Sequence, residues 1–217
     1  MALTAFSVVC SAQGFNQKGH TTEDLFPKGW KYDAYYGNLN HDGSKDVVIM
    51  ALPENRKWTE VTEYGDTIKY SQPLLAIYFG RNDDYYHLWE TYEETLPVSD
   101  NYTEHDISIE ITDRGVLRIN ITTFHHAGGW GNGDDSFVFR FQDGDFFMIG
   151  MDQHVVARNT GREEIISENY ITHKRQQIID NVFDEDFKRV EKWTRIPDKP
   201  LRSLRETLLV TTQHPYS

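Results

Sequence analysis

The sequence predicts a mostly β protein: an antiparallel meander that forms a β-sandwich or an open barrel, with one or two short helices. Aromatic residues make up 13% of the 217 residues, and aromatic side chains favour strands. Short apolar runs are bounded by Gly, Asp, Asn and Pro, as strands joined by turns are. Several runs alternate apolar and polar residues, which indicates a sheet with one buried face and one face in water.

The elements follow from these signals in chain order. Residues 14–28 are polar and predict an irregular or short helical start, with Thr22 as a candidate N-cap. Two later segments, 175–187 and 201–209, show weak helical periodicity. We predict strands at residues 30–36, 46–52, 74–80, 85–91, 107–112, 116–124, 136–142, 145–151, 163–172, 189–195 and 208–212.

Two connections between predicted strands have the composition of hairpin turns. The runs "ISIEIT" (107–112) and "VLRINIT" (116–122) alternate cleanly and are joined by a short segment with Asp and Gly. The second turn is "QDGD" at 142–145, and Asp-Gly is the strongest short hairpin signal. No linker composition or long repeat divides the chain. Residues 13–217 are therefore predicted to form a single β-rich domain.

The first residues, "MALTAFSVVCSAQG", predict a protein that works outside the cytoplasm. The stretch is small and apolar as far as Cys10, and the chain turns polar after Ala12. It is too short to span a bilayer, and it is typical of the apolar core and cleavage site of a secretory signal without its basic start. We interpret residues 1–12 as the remnant of a signal peptide and expect a periplasmic or extracellular protein. Two alternatives stay open: a lipoprotein acylated at Cys10, and a buried N-terminal strand.

The charge of the chain limits its partners. The formal net charge is -12, and a surface of this sign repels phosphate backbones, so nucleic acid is not expected as a partner. The acidity suits cationic partners or metal ions, or serves only to keep the protein soluble. With a single cysteine the chain has no disulfide framework and no thiolate metal site. We also expect no transmembrane segment.

The stretch "GNLNHDGSKDVVIM" (37–50) is a candidate calcium loop. Oxygen-bearing side chains stand at alternate positions, and a glycine that permits positive φ follows the third. Calcium takes six to eight oxygen ligands from such flexible loops. A helical EF-hand is excluded because Ile49 stands where that loop needs a glutamate. The candidate ligands are the side chains of Asn38, Asn40, Asp42 and Asp46 and the backbone carbonyl of Ser44.

This loop resembles the D-x-N-x-D-G-x-x-D calcium loop between two strands of integrin-type FG-GAP and VCBS repeats. It departs from that pattern at Asn38, where the family usually has Asp, and it occurs once. Two carboxylates remain, so affinity toward the millimolar range is expected. The alternative is a metal-free hairpin turn, because Asn, Asp and Gly favour turns in any case. In both cases we expect a structural role.

A wider resemblance covers most of residues 26–195. The runs "FPKGW", "LLAIYFG", "TDRGVLRI", "FVFRFQDGDFFMIGMD" and "NTGREEIISENYITHK" resemble secreted bacterial proteins of the Bacteroides type. The resemblance implies secretion, a β-rich fold and the acidic loop. It carries over no activity and no catalytic residue.

The stretch "TTFHHAGGWGNGDDSF" is the candidate binding loop. His125 and His126 end a predicted strand, Trp130 stands in the Gly-rich part, and Asp134 and Asp135 follow. Adjacent histidines on a strand point to opposite faces, so they do not readily share one metal ion. One histidine with an aspartate can act as a general base, and a tryptophan can stack on a sugar or a peptide. The alternative is an exposed hairpin loop without a ligand.

Two classes of function remain. The sequence contains no G-x-S-x-G, Walker, H-E-x-x-H or dinucleotide motif. We favour a non-enzymatic secreted binding protein with calcium as a structural cofactor and an unknown protein or glycan as partner. One version is an immunity protein whose acidic surface neutralises a basic toxin. The other class is a hydrolase of envelope or dietary polymers that uses the histidines and aspartates of the candidate binding loop.

Overall fold

The computed structural model describes residues 14–126 and 131–207 and places them mainly in two β-sheets and one small hairpin sheet. Within these described ranges, helical structure is limited to the 3-10 turns Thr22–Leu25 and Glu54–Arg56 and a helical turn at 204–207. The strands are β1 Lys18–Gly19, β2 Lys31–Gly37, β3 Asp46–Leu52, β4 Lys57–Val61, β5 Thr67–Ser71, β6 Leu74–Gly80, β7 Tyr86–Tyr92, β8 Thr103–Ile111, β9 Val116–His125, β10 Gly131–Gln142, β11 Asp145–Ala157, β12 Arg162–Asn169, β13 Lys174–Asn181 and β14 Val190–Arg195.

The larger sheet has seven antiparallel strands, β8 to β14, and each strand pairs with its neighbours in the sequence. It curls into a half barrel. The β8–β9 hairpin has the predicted alternation, with Ile107 opposite Ile121 and Ile109 opposite Ile119, all four buried. The alternating pattern therefore marks the face of this sheet that packs inward.

The turn between β10 and β11 lies where "QDGD" predicted it. Asp143 and Gly144 both have positive φ, 52° and 84°. A two-residue type I′ hairpin turn requires positive φ at both of its central residues. Hairpins favour this turn because its twist matches the twist of the strands.

The smaller sheet has five strands in the order β1-β7-β6-β3-β2. Every residue of β6 is buried, and β3 is buried over most of its length. Alternate residues of β6 face opposite sides: Ile77 lies in one buried cluster and Tyr78 in another. A strand covered on both faces needs apolar side chains at every position, which explains the continuous runs "LLAIYFG" and "VVIMAL".

The two sheets pack face to face over a shared core. Leu75 and Ile77 of the smaller sheet lie in one buried cluster with Leu117, Ile119 and Phe139 of the larger sheet. All five side chains have no exposed surface. This packing, with the curl of the larger sheet, confirms the predicted fold class.

The N-terminal segment covers the other face of the smaller sheet. Leu25 and Phe26 pack there beside Tyr78, whose hydroxyl lies 3.0 Å from the backbone carbonyl of Leu25. The 3-10 turn that carries Leu25 begins one residue earlier than expected. Its N-cap is Thr21, whose backbone N–H donates to the Asp24 carboxylate at 2.9 Å, and Thr22 is the first residue of the turn.

One prediction about elements was wrong, and one hairpin had no prediction. Segment 175–187 is not a helix, because Lys174–Asn181 forms β13 between two partner strands that satisfy its backbone groups. The hairpin of β4 and β5 was not predicted. Its strands have mixed composition and include no buried residue, and Trp58 stacks on Tyr70 across the pair with ring centroids 5.2 Å apart.

Several predictions fall on residues outside the described ranges. These are the signal-peptide remnant at 1–12 with Cys10, and the strand at 208–212. The helix predicted at 201–209 is present in its described part as the turn at 204–207. Within residues 14–126 and 131–207, no helix is long and apolar enough to cross a membrane.

Candidate functional site

The two histidines of the predicted binding loop have separate partners. His125 is the last residue of β9, and its Nδ1 lies 3.2 Å from the Thr103 hydroxyl of β8. His126 follows the strand, and its Nε2 lies 3.2 Å from a carboxylate oxygen of Glu104. Trp130 lies outside the described residues.

The two aspartates of this loop belong to a strand. The residues from Gly131 onward continue as β10, so Asp134 and Asp135 point to opposite faces of the sheet. The Asp134 carboxylate accepts a hydrogen bond from the Thr122 hydroxyl at 2.6 Å, and the Asp135 carboxylate accepts one from the Gln153 amide at 2.9 Å.

The structure therefore does not bring the predicted histidines and aspartates together. The imidazole beside Asp134 is that of His154 of β11, whose Nδ1 is 3.6 Å from the carboxylate. The Nε2 of His154 lies 2.7 Å from Glu163. This group lies on the outer face of the sheet, where cross-strand polar pairs are common.

The candidate calcium loop is built around a buried carboxylate. Asp46 has no exposed surface, and its two oxygens accept hydrogen bonds from the backbone N–H groups of Leu39 (2.6 Å) and Gly80 (3.0 Å). Burial raises the pKa of the Asp46 carboxyl above its ordinary value, against the effect of these donors. Asp46 thus ties the β2–β3 connection to the end of β6.

The outer part of the loop is closed by its own side chains. The Asp42 carboxylate accepts hydrogen bonds from the Ser44 backbone N–H at 2.7 Å and from the Asn40 side-chain amide at 3.0 Å. The bond from Ser44 lowers the pKa of the Asp42 carboxyl. His41 and Gly43 have positive φ, 62° and 88°, which turns the chain between these residues.

One polar atom of the loop has no partner. The side-chain oxygen of Asn38 is buried and accepts no hydrogen bond. An unsatisfied buried acceptor costs about 1–3 kcal/mol. Among the residues with described positions, no group of three or more His, Cys, Asp or Glu side chains converges on one point. Of the five candidate ligands of this loop, three are neutral oxygens and two are carboxylates, a set that would hold a hard cation weakly.

A groove that the sequence did not reveal lies between the larger sheet and the segment that follows β14. Its cavity volume is 480 Å³. Phe137, Met148 and Met151 of β10 and β11 form its apolar floor. The Met148 N–H donates to the Arg202 carbonyl at 2.9 Å, and Leu204 is fully buried in the core. The segment that follows β14 forms the wall of the groove opposite the floor. These two contacts hold this segment against the sheet.

The rim of the groove is polar and mainly basic. The Glu168 carboxylate accepts a hydrogen bond from the Tyr170 hydroxyl at 2.6 Å and lies 3.6 Å from the Arg175 guanidinium. Burial and the bond to Glu168 raise the pKa of the Tyr170 phenol, so the hydroxyl stays protonated. Lys199 and Arg202 complete the charged lining.

The sequence could not have shown this groove by local pattern. Its lining comes from residues as far apart as Phe137 and Thr207, and the floor residues look like ordinary members of a hairpin. One signal was available in "IPDKPLR" (196–202). Two prolines close together keep a segment extended and outside the sheet hydrogen bonding, which is how a chain segment covers a sheet face.

Comparisons with protein-family models, with curated protein sequences and with solved structures give no match.

Proposed function

We propose that this chain is a non-enzymatic binding protein of the periplasm or the cell exterior, which holds an amphipathic anion in the groove. The ligand class is an apolar chain with a carboxylate at one end. One observation carries this proposal: in a chain of net charge -12, the charged residues that line a groove with an apolar floor are mainly basic. They include Arg175, Lys199 and Arg202, with His173 as a fourth basic residue and Glu168 as the one acidic residue.

The floor supports binding of the apolar part of such a ligand. A cavity of 480 Å³ falls within the range of small-molecule sites. Covering ~200 Å² of apolar ligand surface contributes about 5 kcal/mol before the entropic cost of binding is subtracted. Met148 and Met151 are flexible and polarisable, so the floor can adapt to chains of different length.

The rim supports binding of the anionic end. Arg175 lies 3.6 Å from Glu168, which is longer than a good hydrogen bond, and its side chain is 36% exposed. A guanidinium has five N–H donors in a planar fork, so Arg175 has donors left for a ligand carboxylate. Glu168 already accepts the Tyr170 hydroxyl and therefore repels the ligand less than a free carboxylate would.

Calorimetry on the full chain tests this proposal. We expect dodecanoate to bind, dodecanol to bind more weakly because it has no charge, and acetate not to bind because it has no chain. Arg175→Gln should weaken dodecanoate binding about 10-fold, the loss of one charge-assisted contact, and leave dodecanol binding unchanged. Arg162→Gln, which removes an exposed arginine of the same strand pair, is the matched control.

Three results would count against the groove as the site. One is the absence of dodecanoate binding at millimolar concentration. Another is equal loss of dodecanoate binding in both arginine variants. The third is equal binding of dodecanoate and dodecanol. Melting temperatures of the two variants separate a binding defect from unfolding.

As part of this function we propose that the loop from Asn38 to Asp46 binds calcium as a structural cofactor. Two observations on the described part of the chain support it: the buried oxygen of Asn38 has no partner there, and the buried carboxylate of Asp46 is bonded to backbone N–H groups and to no basic side chain. A bound Ca²⁺ would satisfy the first and neutralise the second. Millimolar calcium outside the cytoplasm matches the weak affinity expected of a loop with two carboxylates.

Thermal melts with calcium, and with magnesium for comparison, test the loop. Calcium at ten times its dissociation constant should stabilise the wild type by about 1.4 kcal/mol. Asp42→Asn should abolish that shift, and Asp143→Asn, in the exposed β10–β11 turn, should keep it. No shift in the wild type at millimolar calcium would show that the loop is only a turn.

We do not propose a hydrolase, because the histidines and aspartates it would need have separate partners.

A further inference from the structure

Among the residues that the structure describes, strand β14 ends the larger sheet and has one edge without a partner strand. Strand β14 pairs with β13 on one side, and in the described part of the chain no strand pairs with its other side. All six of its residues are exposed, with Trp193 at 60% and Val190 at 52%. An exposed edge strand of this kind is a template for a strand from another chain.

The register between β13 and β14 fixes which backbone groups face this open edge. The Ile196 N–H donates to the His173 carbonyl at 3.0 Å, and Lys174 lies opposite Arg195. Backbone groups of successive residues point to alternate sides of a strand. Val190, Lys192 and Thr194 therefore bond toward β13, and the N–H and C=O groups of Glu191, Trp193 and Arg195 point outward.

We propose that a second copy of this chain pairs with β14 in antiparallel orientation, with the two Trp193 residues opposite each other on a two-fold axis. In this register the outward-facing groups of Glu191, Trp193 and Arg195 meet the same groups of the partner. Each Glu191 lies opposite the Arg195 of the other copy, and each Lys192 lies opposite a Thr194. The proposal is independent of the groove and of calcium.

Charge selects this register among the alternatives. A two-fold axis between two residues would place outward-facing groups against inward-facing ones, so the axis must pass through a residue. Axes at Glu191, Lys192 and Arg195 each place that residue opposite its own copy, and like charges directly opposite are unfavourable. An axis at Val190 places Lys188 opposite Lys192, and one at Thr194 forms no pair of opposite charges. Of these positions, only an axis at Trp193 gives two opposite-charge pairs and no like-charge pair.

The surface around the strand supports association. Glu191 accepts hydrogen bonds from the Gln176 amide at 2.8 Å and from the Trp193 indole at 2.7 Å, which lower its pKa and keep it ionised. On β14 itself, the exposed side chains of Val190 and Trp193 are apolar surface that association would cover in part.

Sedimentation over a concentration series of the full chain tests the dimer. We expect a monomer–dimer equilibrium that Glu191→Arg weakens at least 10-fold. Adding Arg195→Glu in the same chain should restore the wild-type dissociation constant within about threefold, since the opposite pairs are re-formed. Trp193→Pro removes an outward N–H that β13 does not use, so it should abolish dimerisation without unfolding the sheet. Lys192→Gln is the control and should change little.

Disulfide trapping tests the register, in a Cys10→Ser background. Hydrogen-bonded partners in antiparallel strands have Cα atoms about 5.5 Å apart, which suits a disulfide. Trp193→Cys should cross-link two copies under mild oxidation, and Lys192→Cys should not. A protein that stays monomeric up to millimolar concentration, a dimer unaffected by Glu191→Arg, or efficient cross-linking through Lys192→Cys would each overturn the proposal.

Discussion

At the scale of single residues, Gly80 shows how closely the calcium-loop candidate packs on the smaller sheet. A Cβ atom at this position would lie 2.3 Å from the backbone carbonyl oxygen of Lys45. No non-bonded contact is that short, so a larger residue must push the loop away from β6. The glycine is needed for close approach of two backbones.

We therefore expect Gly80→Ala to destabilise the protein by about 1–3 kcal/mol, the usual cost of overpacking a tight site. The matched control is Gly131→Ala, because a Cβ there meets its nearest neighbour at 3.8 Å. Urea denaturation of both variants measures the difference. Equal stabilities would mean that Lys45 can move without cost.

His105 gives a second residue-scale prediction, for the dependence of stability on pH. Burial, followed by the charge of His125, lowers the pKa of the His105 imidazole in the folded protein. Below about pH 6.5, His105 therefore binds a proton more readily in the unfolded chain than in the folded chain. The contribution of His105 to stability is fully present above that pH and is lost as the pH falls toward the folded-state pKa.

Replacing His105 by Gln should therefore reduce the loss of stability between about pH 7 and pH 5. Each unit of pKa difference between the two states corresponds to about 1.4 kcal/mol. His20→Gln, which replaces an exposed imidazole, serves as the control. If the unfolding free energies of wild type and His105→Gln change in parallel with pH, the buried imidazole does not govern the acid response.

At the scale of elements, the sequence predicted best where both faces of a strand are covered. The predicted bounds 46–52 and 74–80 agree with β3 and β6 to the residue, because a continuous apolar run ends where burial ends. Strand β13 has Gln, Arg and Asp among its residues, and its identity as a strand comes from its pairing with β12 and β14. Local composition does not contain that information.

Ile178 carries the prediction for β13. Its side chain is 7% exposed, whereas Ile171 in the preceding turn is 49% exposed. Ile178→Ala should cost about 2–4 kcal/mol, the range for a truncation in a packed core, and Ile171→Ala less than about 1 kcal/mol. Chemical denaturation compares the pair. Similar values for the two would contradict the placement of Ile178 as the buried residue of β13.

At the scale of the whole molecule, the shared core predicts that both sheets unfold together. Leu117 of the larger sheet is fully buried against residues of the smaller sheet. Leu117→Ala should cost about 2–5 kcal/mol and should lower hydrogen-exchange protection in β6 as much as in β9, as expected of one cooperative unit.

Val61→Ala, at a side chain that is 71% exposed, is the control for this experiment. Protection lost from the larger sheet alone would show that the sheets unfold separately. It would argue against the prediction that residues 13–217 form a single domain.

The candidate sites show what a sequence can and cannot reveal at this scale. The loop around Asp46 lies within a few residues of chain, so its oxygen pattern could be read directly. The groove joins Phe137, Tyr170 and Arg202, which only the folded chain brings together. The histidines and aspartates near residue 130 are close in sequence, but alternation along strands separates their side chains.

The hairpin of β4 and β5 has a consequence for how this chain can change in length. The hairpin is inserted between β3 and β6 of the smaller sheet. Strands β3 and β6 are themselves hydrogen-bonded neighbours in antiparallel orientation. A short turn could join them directly, so neither large sheet needs residues 57–71 for its own pairing. Insertions, deletions and grafted epitopes should be tolerated at the hairpin tip near residue 64. We expect chains that share this architecture to differ in length there first.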